Sequence, residues 1–440
     1  MIPPSLKREE GRGVSPNILI MEWIIPDNER IYLRELAKRQ AEYAVLPIME
    51  KRKQIWYDLN DGKTGAVPPV VVETWTFDRD FLPESVYFCQ SKIGRSVEYQ
   101  LLKNIRNYEL ISDDKVMPDF FEINWFLDIN EFGVPLAREM RKDAQGFEVG
   151  YRYIHPIKDL VSDFKDLKPA VCLVDKAKTM SWKTFLDNIF GDILTVVIRT
   201  NNLECTSLTN RAIELMGMES FYREMLENPD EVHRLMAYLR DNALSIMRWA
   251  ESEGLIVVNN GNQDSFGTSF NFTTLLPAPG YHGGPARLCD FWGNSNSEET
   301  VGISPEMYRE FCLPYYIDVC QPMGLLYYGC CEPVHPVWDS VSQLPHLKKI
   351  SISRWCDQDF MGDALRGTGI VYSRKPDPHF LGVDFSLNEK KWKEHIDETL
   401  EATRGVFTEF IIRDVYTVHG DVGKVRRAVE LAKGEIERYY

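Results

Sequence analysis

Cys330, Cys331 and Glu332 stand in a row directly after the run Gly324-Leu325-Leu326-Tyr327-Tyr328-Gly329. Two thiols and a carboxylate suit a divalent metal such as Zn²⁺, whose catalytic sites use about three protein ligands and leave one position open. Neighbours on a strand point to opposite faces, so one of the two thiols is expected to be core. A further ligand must then come from elsewhere, with Cys356, Asp414 and His419 as candidates. The chain has no Cys-x-x-Cys and no His-Glu-x-x-His, so the cluster can equally be an acid/base or structural group.

Other residues offer weaker chemistry. Arg374-Lys375 before Pro376 reads either as an anion grip or as solvated surface. His155, His282 and His419 are isolated and read as hydrogen-bonded structural residues, and His335 as part of a helix. Trp75, Trp125, Trp292 and Trp355 line an aromatic pocket or pack in a core. No phosphate-binding glycine loop and no Gly-x-Ser-x-Gly elbow is present.

Such groups act together only if a scaffold gathers them. Eight strand-like segments begin at Val70, Val116, Ile193, Leu255, Leu325, Leu347, Gly369 and Val406. Helical patterns alternate with them, most regularly at 181–190, 229–253, 388–403 and 422–439. Ser304-Pro305-Glu306 is a helix start, and Pro314 is expected to kink that helix. The alternation predicts a (β/α)8 TIM barrel, with an open doubly wound sheet as the competing fold. Barrel enzymes carry their substrate-handling groups at the C-terminal strand ends. That rim would hold Glu73, Trp75, Asn124, Trp125, Arg199, Asn259, Asn260, the Cys330 cluster, Arg354, Trp355, Cys356, Arg374, Lys375 and Asp414. Residues 126–175 read as an insertion outside the wall, and the Gly/Asn/Pro-rich 261–284 as a functional loop. Residues 1–30 read as an N-terminal arm and 31–440 as the barrel, with 31–115 a partly helical extension.

A net charge of −15 over 440 residues argues against nucleic acid as the main partner. No apolar run is long enough for a bilayer, and the N-terminus lacks a signal-peptide core. Nine scattered cysteines fit a reducing compartment, so a cytoplasmic protein is expected.

Three runs resemble the uroporphyrinogen decarboxylase-like superfamily. They are Glu299-Thr300-Val301-Gly302-Ile303-Ser304-Pro305-Glu306-Met307-Tyr308, Tyr328-Gly329-Cys330-Cys331-Glu332 and Tyr372-Ser373-Arg374-Lys375-Pro376. The order of elements from about Val116 onward is similar too. The resemblance implies a (β/α)8 barrel and either decarboxylation or methyl transfer to or from a corrinoid protein. The decarboxylases grip substrate carboxylates with an N-terminal Arg-Gln-Ala-Gly-Arg segment, which this chain lacks. The methyltransferase branch binds zinc through a His-x-Cys pair and a later Cys. Here Cys330 matches the first Cys and Tyr328 occupies the His position, while Glu409 and Asp414 stand where a later thiol would be. The resemblance thus implies Zn²⁺ on a set drawn from Cys330, Cys331, Glu332, Asp414 and His419.

The expected reaction moves a methyl group from a small O- or N-methylated compound to the corrinoid (cobalamin) of a separate protein. Glu73, Tyr328 and Glu332 are the expected catalytic groups. Trp75, Trp125, Arg199, Asn260, Arg354 and Arg374 are expected to bind substrate. The alternative is a decarboxylase or lyase in which Arg199, Arg354 and Arg374 hold a carboxylated substrate. Expected partners are the corrinoid protein and the methylated substrate, with a homodimer left open, and neither nucleic acid nor membrane.

Overall fold

The computed structural model describes residues 23–142, 148–200, 204–263 and 268–440. Most of the expected N-terminal arm lies outside the described residues, and its last part already begins the helix Asp27–Ala44. The described chain has twelve strands. They are β1 (Val70–Val72), β2 (Phe120–Asn124), β3 (Leu127–Asn130), β4 (Ala137–Lys142), β5 (Glu148–Ile154), β6 (Val171–Val174), β7 (Thr195–Arg199), β8 (Trp292–Ser295), β9 (Leu325–Tyr328), β10 (Leu347–Ile352), β11 (Val371–Arg374) and β12 (Thr408–Ile412).

Six of them form one parallel sheet in the order β1-β12-β11-β10-β9-β8, and β2 pairs in parallel with β7. Eight strands are therefore parallel, as the alternation predicts, but they do not close into one ladder. Side chains fill the two gaps. At the β1 edge, Val70 N donates to Asp114 Oδ2 and Val72 N to Asp113 Oδ2, both at 2.8 Å. These carboxylates satisfy backbone donors that a barrel would give to a neighbouring strand. Between β7 and β8 lies the segment after Leu255. Val257 N donates to Thr200 Oγ1 at 2.8 Å, and the Asn259 side chain exchanges two hydrogen bonds with the backbone of Trp292.

The strand expected at Leu255 is thus not a ladder strand. Its place in the parallel count is taken by β8, Trp292-Gly293-Asn294-Ser295, whose composition is poor for a strand. Close packing explains the glycine: a Cβ on Gly293 would sit 2.0 Å from Met323 Sδ. The strand expected from Val116 starts at Phe120, beyond Pro118, which has no donor for a ladder.

Helix readings hold more closely. Two helices, Asp27–Ala44 and Pro47–Asn60, meet at the proline. Ser304 Oγ caps its helix at Met307 N, and the helix breaks at Cys312, two residues before Pro314. Outward residues of the strands bury against helices. Leu326, Tyr328, Ile350, Ile352 and Tyr372 join the apolar cluster that includes Leu235, Leu239 and Tyr316. Val70, Val72, Phe410 and Ile412 join Trp392, Ile396, Val425 and Val429. Each fully buried side chain of this kind stabilises the fold by roughly 1.5–3 kcal/mol. β1 lies in the segment read as an extension, yet it is part of the sheet. The insertion forms two antiparallel pairs, β3·β6 and β4·β5. No helix among the described residues is long and apolar enough to cross a membrane.

Candidate active site

Strand residues alternate between faces, so the residues between those outward apolar positions form an inner column. Its lowest layer is the ion pair Lys349–Glu409, 3.0 Å apart and fully buried. Glu409 also accepts from Ser269 Oγ at 2.9 Å. The rings of Trp56 and Trp292 lie 5.2 and 5.5 Å from the Lys349 ammonium. Burial lowers the Lys349 pKa and Glu409 opposes it. This layer pins the loop around Ser269 across the lower interior.

Above it, Lys375 Nζ donates to the Tyr327 hydroxyl and, at 2.7 Å, to Ser373 Oγ. The two hydroxyls are 3.1 Å apart. All three residues are buried. Burial drives the Lys375 pKa down to about 7; Arg413 adds to the fall and Glu409 resists it.

The top layer lies at the strand ends. β9 stops at Tyr328, and Gly329 has φ +94°, a conformation that costs little only for glycine. The strand alternation therefore ends before the cysteines. Both thiols come to one side, with Cys330 Sγ and Cys331 Sγ 3.5 Å apart. Cys330 is buried and Cys331 exposed. Glu298, in the turn after β8, completes a group whose three ligand atoms all lie within 4.8 Å of one another. Cys331 Sγ donates to Asp414 Oδ2 at 3.5 Å. Asp414 and Arg413 follow β12, and Arg413 Nε lies 3.3 Å from Asp414 Oδ2. Arg413 Nη2 reaches Glu73 Oε2, after β1, at 3.5 Å. The bond to Cys331 and burial raise the Cys330 pKa, and Arg413 opposes them. Burial raises the Glu73 pKa against the pull of Arg413.

The ligand geometry fits a thiophilic divalent ion. Two thiolates about 2.3 Å from one tetrahedral centre lie on the order of 3.7 Å apart, close to the observed sulfur separation. Glu298 would supply a third donor, the number that a catalytic zinc typically takes from protein.

No family model and no curated protein sequence matches the chain. Among solved structures, the chain is similar to a methyltransferase from Methanosarcina mazei at 12% identity and a TM-score of 0.49. The alignment covers 88% of this chain and 99% of that one. A likeness at this level carries no information on function.

Other expected site residues are spread around this core. Tyr328 faces the helices, where its hydroxyl meets Ser297 Oγ at 2.6 Å and the Tyr308 hydroxyl at 2.7 Å. Glu332 is buried and accepts from Ser297 N at 3.1 Å and Cys330 N at 2.8 Å. Burial pushes its pKa up to about 7. Both oxygens thus hold the loop that presents the thiols. Arg374 also faces outward and donates to Ser353 O at 2.8 Å. Arg354 pairs with Asp377 at 2.7 Å and stacks on the exposed Trp355. Trp75 is exposed in the turn after β1. Trp125 Nε1 donates to Leu255 O at 3.1 Å. Arg199 ends β7, 3.8 Å from Glu122 and over the Phe120 ring. Asn260 ties Thr273 O and Leu276 O of the long loop. His419 is exposed and stacks on Phe385, and Cys356 is buried beside Val334 N.

Arg413, Glu298 and Tyr327 were not singled out by the sequence, although period-two counting could have found two of them. Tyr327 falls in step with Leu325, and Arg413 with Glu409 and Ile411.

Proposed function

We propose that this chain is a metal-assisted methyltransferase of the uroporphyrinogen decarboxylase-like (β/α)8 type. In this reading it takes a methyl group from a small O- or N-methylated compound and passes it to the cobalt of a separate corrinoid protein. The observation that carries it is the group Glu298, Cys330 and Cys331, whose ligand atoms lie within 4.8 Å of each other at the C-terminal strand edge. A bound Zn²⁺ would supply Lewis-acid polarisation of the donor's oxygen or nitrogen.

The chain's own residues supply the rest. Glu298 and the two thiols would hold the ion. Arg413 holds Glu73 and Asp414 in place beside the thiols. Glu73, whose pKa burial raises against the pull of Arg413, would exchange a proton with the departing heteroatom. Trp75, exposed after β1, offers an apolar surface to the methylated donor. Glu332 and Tyr328 position the loop rather than touch the substrate. The rival lyase reading draws less support, because Arg374 faces the helices and Arg354 is held by Asp377.

The test is methylation of added cob(I)alamin by the zinc-loaded protein, followed by absorbance. Methanol, methylamines and a methoxylated aromatic serve as donors. A donor-dependent rate that disappears in Cys330→Ser supports the reading. Absence of transfer from every donor, with zinc bound, sinks it.

A further inference from the structure

Lys375 is a buried amine that the methyl-transfer reading leaves unused. It is held in a triangle with the Tyr327 and Ser373 hydroxyls, on the inner side of β9 and β11. Arg413, which also pairs with Glu73 and Asp414, is a cation that acts on it. Its side chain is 8% exposed, and its Nη1 is buried without a hydrogen-bond partner. The two are close by register. Arg374 pairs with Phe410, so Arg413 lies two pairs beyond Lys375 on the adjacent strand. That puts their Cα atoms on the order of 8 Å apart, a gap two long side chains can bridge. Phe121, Ile123 and Val196 of β2 and β7 bury against helices, whereas Phe120, Glu122, Asn124, Val197 and Arg199 remain partly or fully exposed.

We propose that Lys375 and Arg413 form a second reaction site, at which the Lys375 amine condenses with a small 2-oxo acid whose carboxylate Arg413 receives. An amine needs its lone pair for this reaction, and the burial that lowers its pKa frees it. A nitrogen–carbon double bond replaces the carbonyl C=O bond and both N–H bonds of the amine, and water leaves. Both hydrogens of that water come from the amine, relayed through the Tyr327 and Ser373 hydroxyls. Nothing is oxidised or reduced. Arg413 can offer the carboxylate its unpartnered Nη1, while Nη2 and Nε face Glu73 and Asp414.

Trapping tests this directly on the full-length protein. Glyoxylate with cyanoborohydride at pH 7 reduces any imine and leaves a carboxymethyl group on the lysine, which peptide mass mapping locates. Lys375 is expected to react at least about tenfold faster than the exposed Lys390, because more of it is neutral. Formaldehyde, which has no carboxylate, is the control probe. Arg413→Gln is expected to lower the ratio of glyoxylate to formaldehyde trapping at Lys375 about tenfold, because losing its charge acts on the amine alike for both probes. The Glu73→Gln/Arg413→Gln double variant is expected to do the same, without an orphaned buried carboxylate. Trapping at Lys375 no faster than at Lys390 overturns the proposal. So does an equal response of both probes to the Arg413 variants, which would remove the carboxylate from the site.

Discussion

Arg413 Nη2 and Glu73 Oε2 lie 3.5 Å apart and join the residues that follow β12 and β1. Both side chains are almost wholly buried. Removing one partner of such a pair strands the other charge. Arg413→Met is expected to cost about 3 kcal/mol in urea unfolding. Glu73→Gln in that background should recover most of the loss. Two additive single-site effects would show that the pair does not act as a unit.

The thiol cluster predicts which substitutions matter for metal. Cys330→Ser and Glu298→Ala are each expected to remove most stoichiometric zinc, as read by elemental analysis after anaerobic preparation. Glu332→Gln should lower zinc occupancy less than either, because Glu332 binds backbone N–H groups of Ser297 and Cys330 and the amide keeps one of its two acceptors. Zinc loss in Glu332→Gln with retention in Glu298→Ala would reverse the ligand assignment.

The difference between Glu298 and Glu332 shows what the sequence could and could not convey. Apolar runs with clear ends located seven of the eight parallel strands, because burial on the outer face leaves a mark at every second residue. β8 left none: Gly293 is there for Met323, and Asn294 and Ser295 mimic a loop. The Cys330 cluster was legible as chemistry. Its partner was not, since Glu298 is brought to it by the turn after β8. Nor could strand parity be applied to Cys330 and Cys331, because Gly329 at φ +94° ends the alternation just before them. Parity did apply to Arg374 and Lys375, and it assigns the inner position to the lysine.

Gly329 carries its own prediction. A Cβ there would meet Ser351 Cβ at 3.1 Å, in a backbone conformation that side chains rarely adopt. Gly329→Ala is expected to destabilise by about 1–3 kcal/mol and to separate the thiols. A trivalent arsenical that needs two neighbouring thiols should bind the wild type and bind Gly329→Ala at least about tenfold more weakly. Equal binding would mean that the thiol pair does not depend on this turn.

Lys375 predicts how stability depends on pH. Its pKa falls from 10.5 to about 7 on folding. Between these values the unfolded chain keeps the proton that the folded protein has released. Stability therefore rises with pH across that window, and below pH 7 the buried ammonium costs the folded state its desolvation. The groups that act on it are Glu409, which favours the ammonium, Arg413, which opposes it, and the Cys330 and Cys331 thiols, which favour it when ionised. Lys375→Met removes the titration and leaves the other tyrosines and cysteines in both proteins. The wild type should gain of order 3 kcal/mol on the variant between pH 7 and pH 10, from urea unfolding at each pH. A gap that stays constant over this range would place the Lys375 pKa near that of a surface lysine. It would also remove the free amine on which condensation with a 2-oxo acid depends.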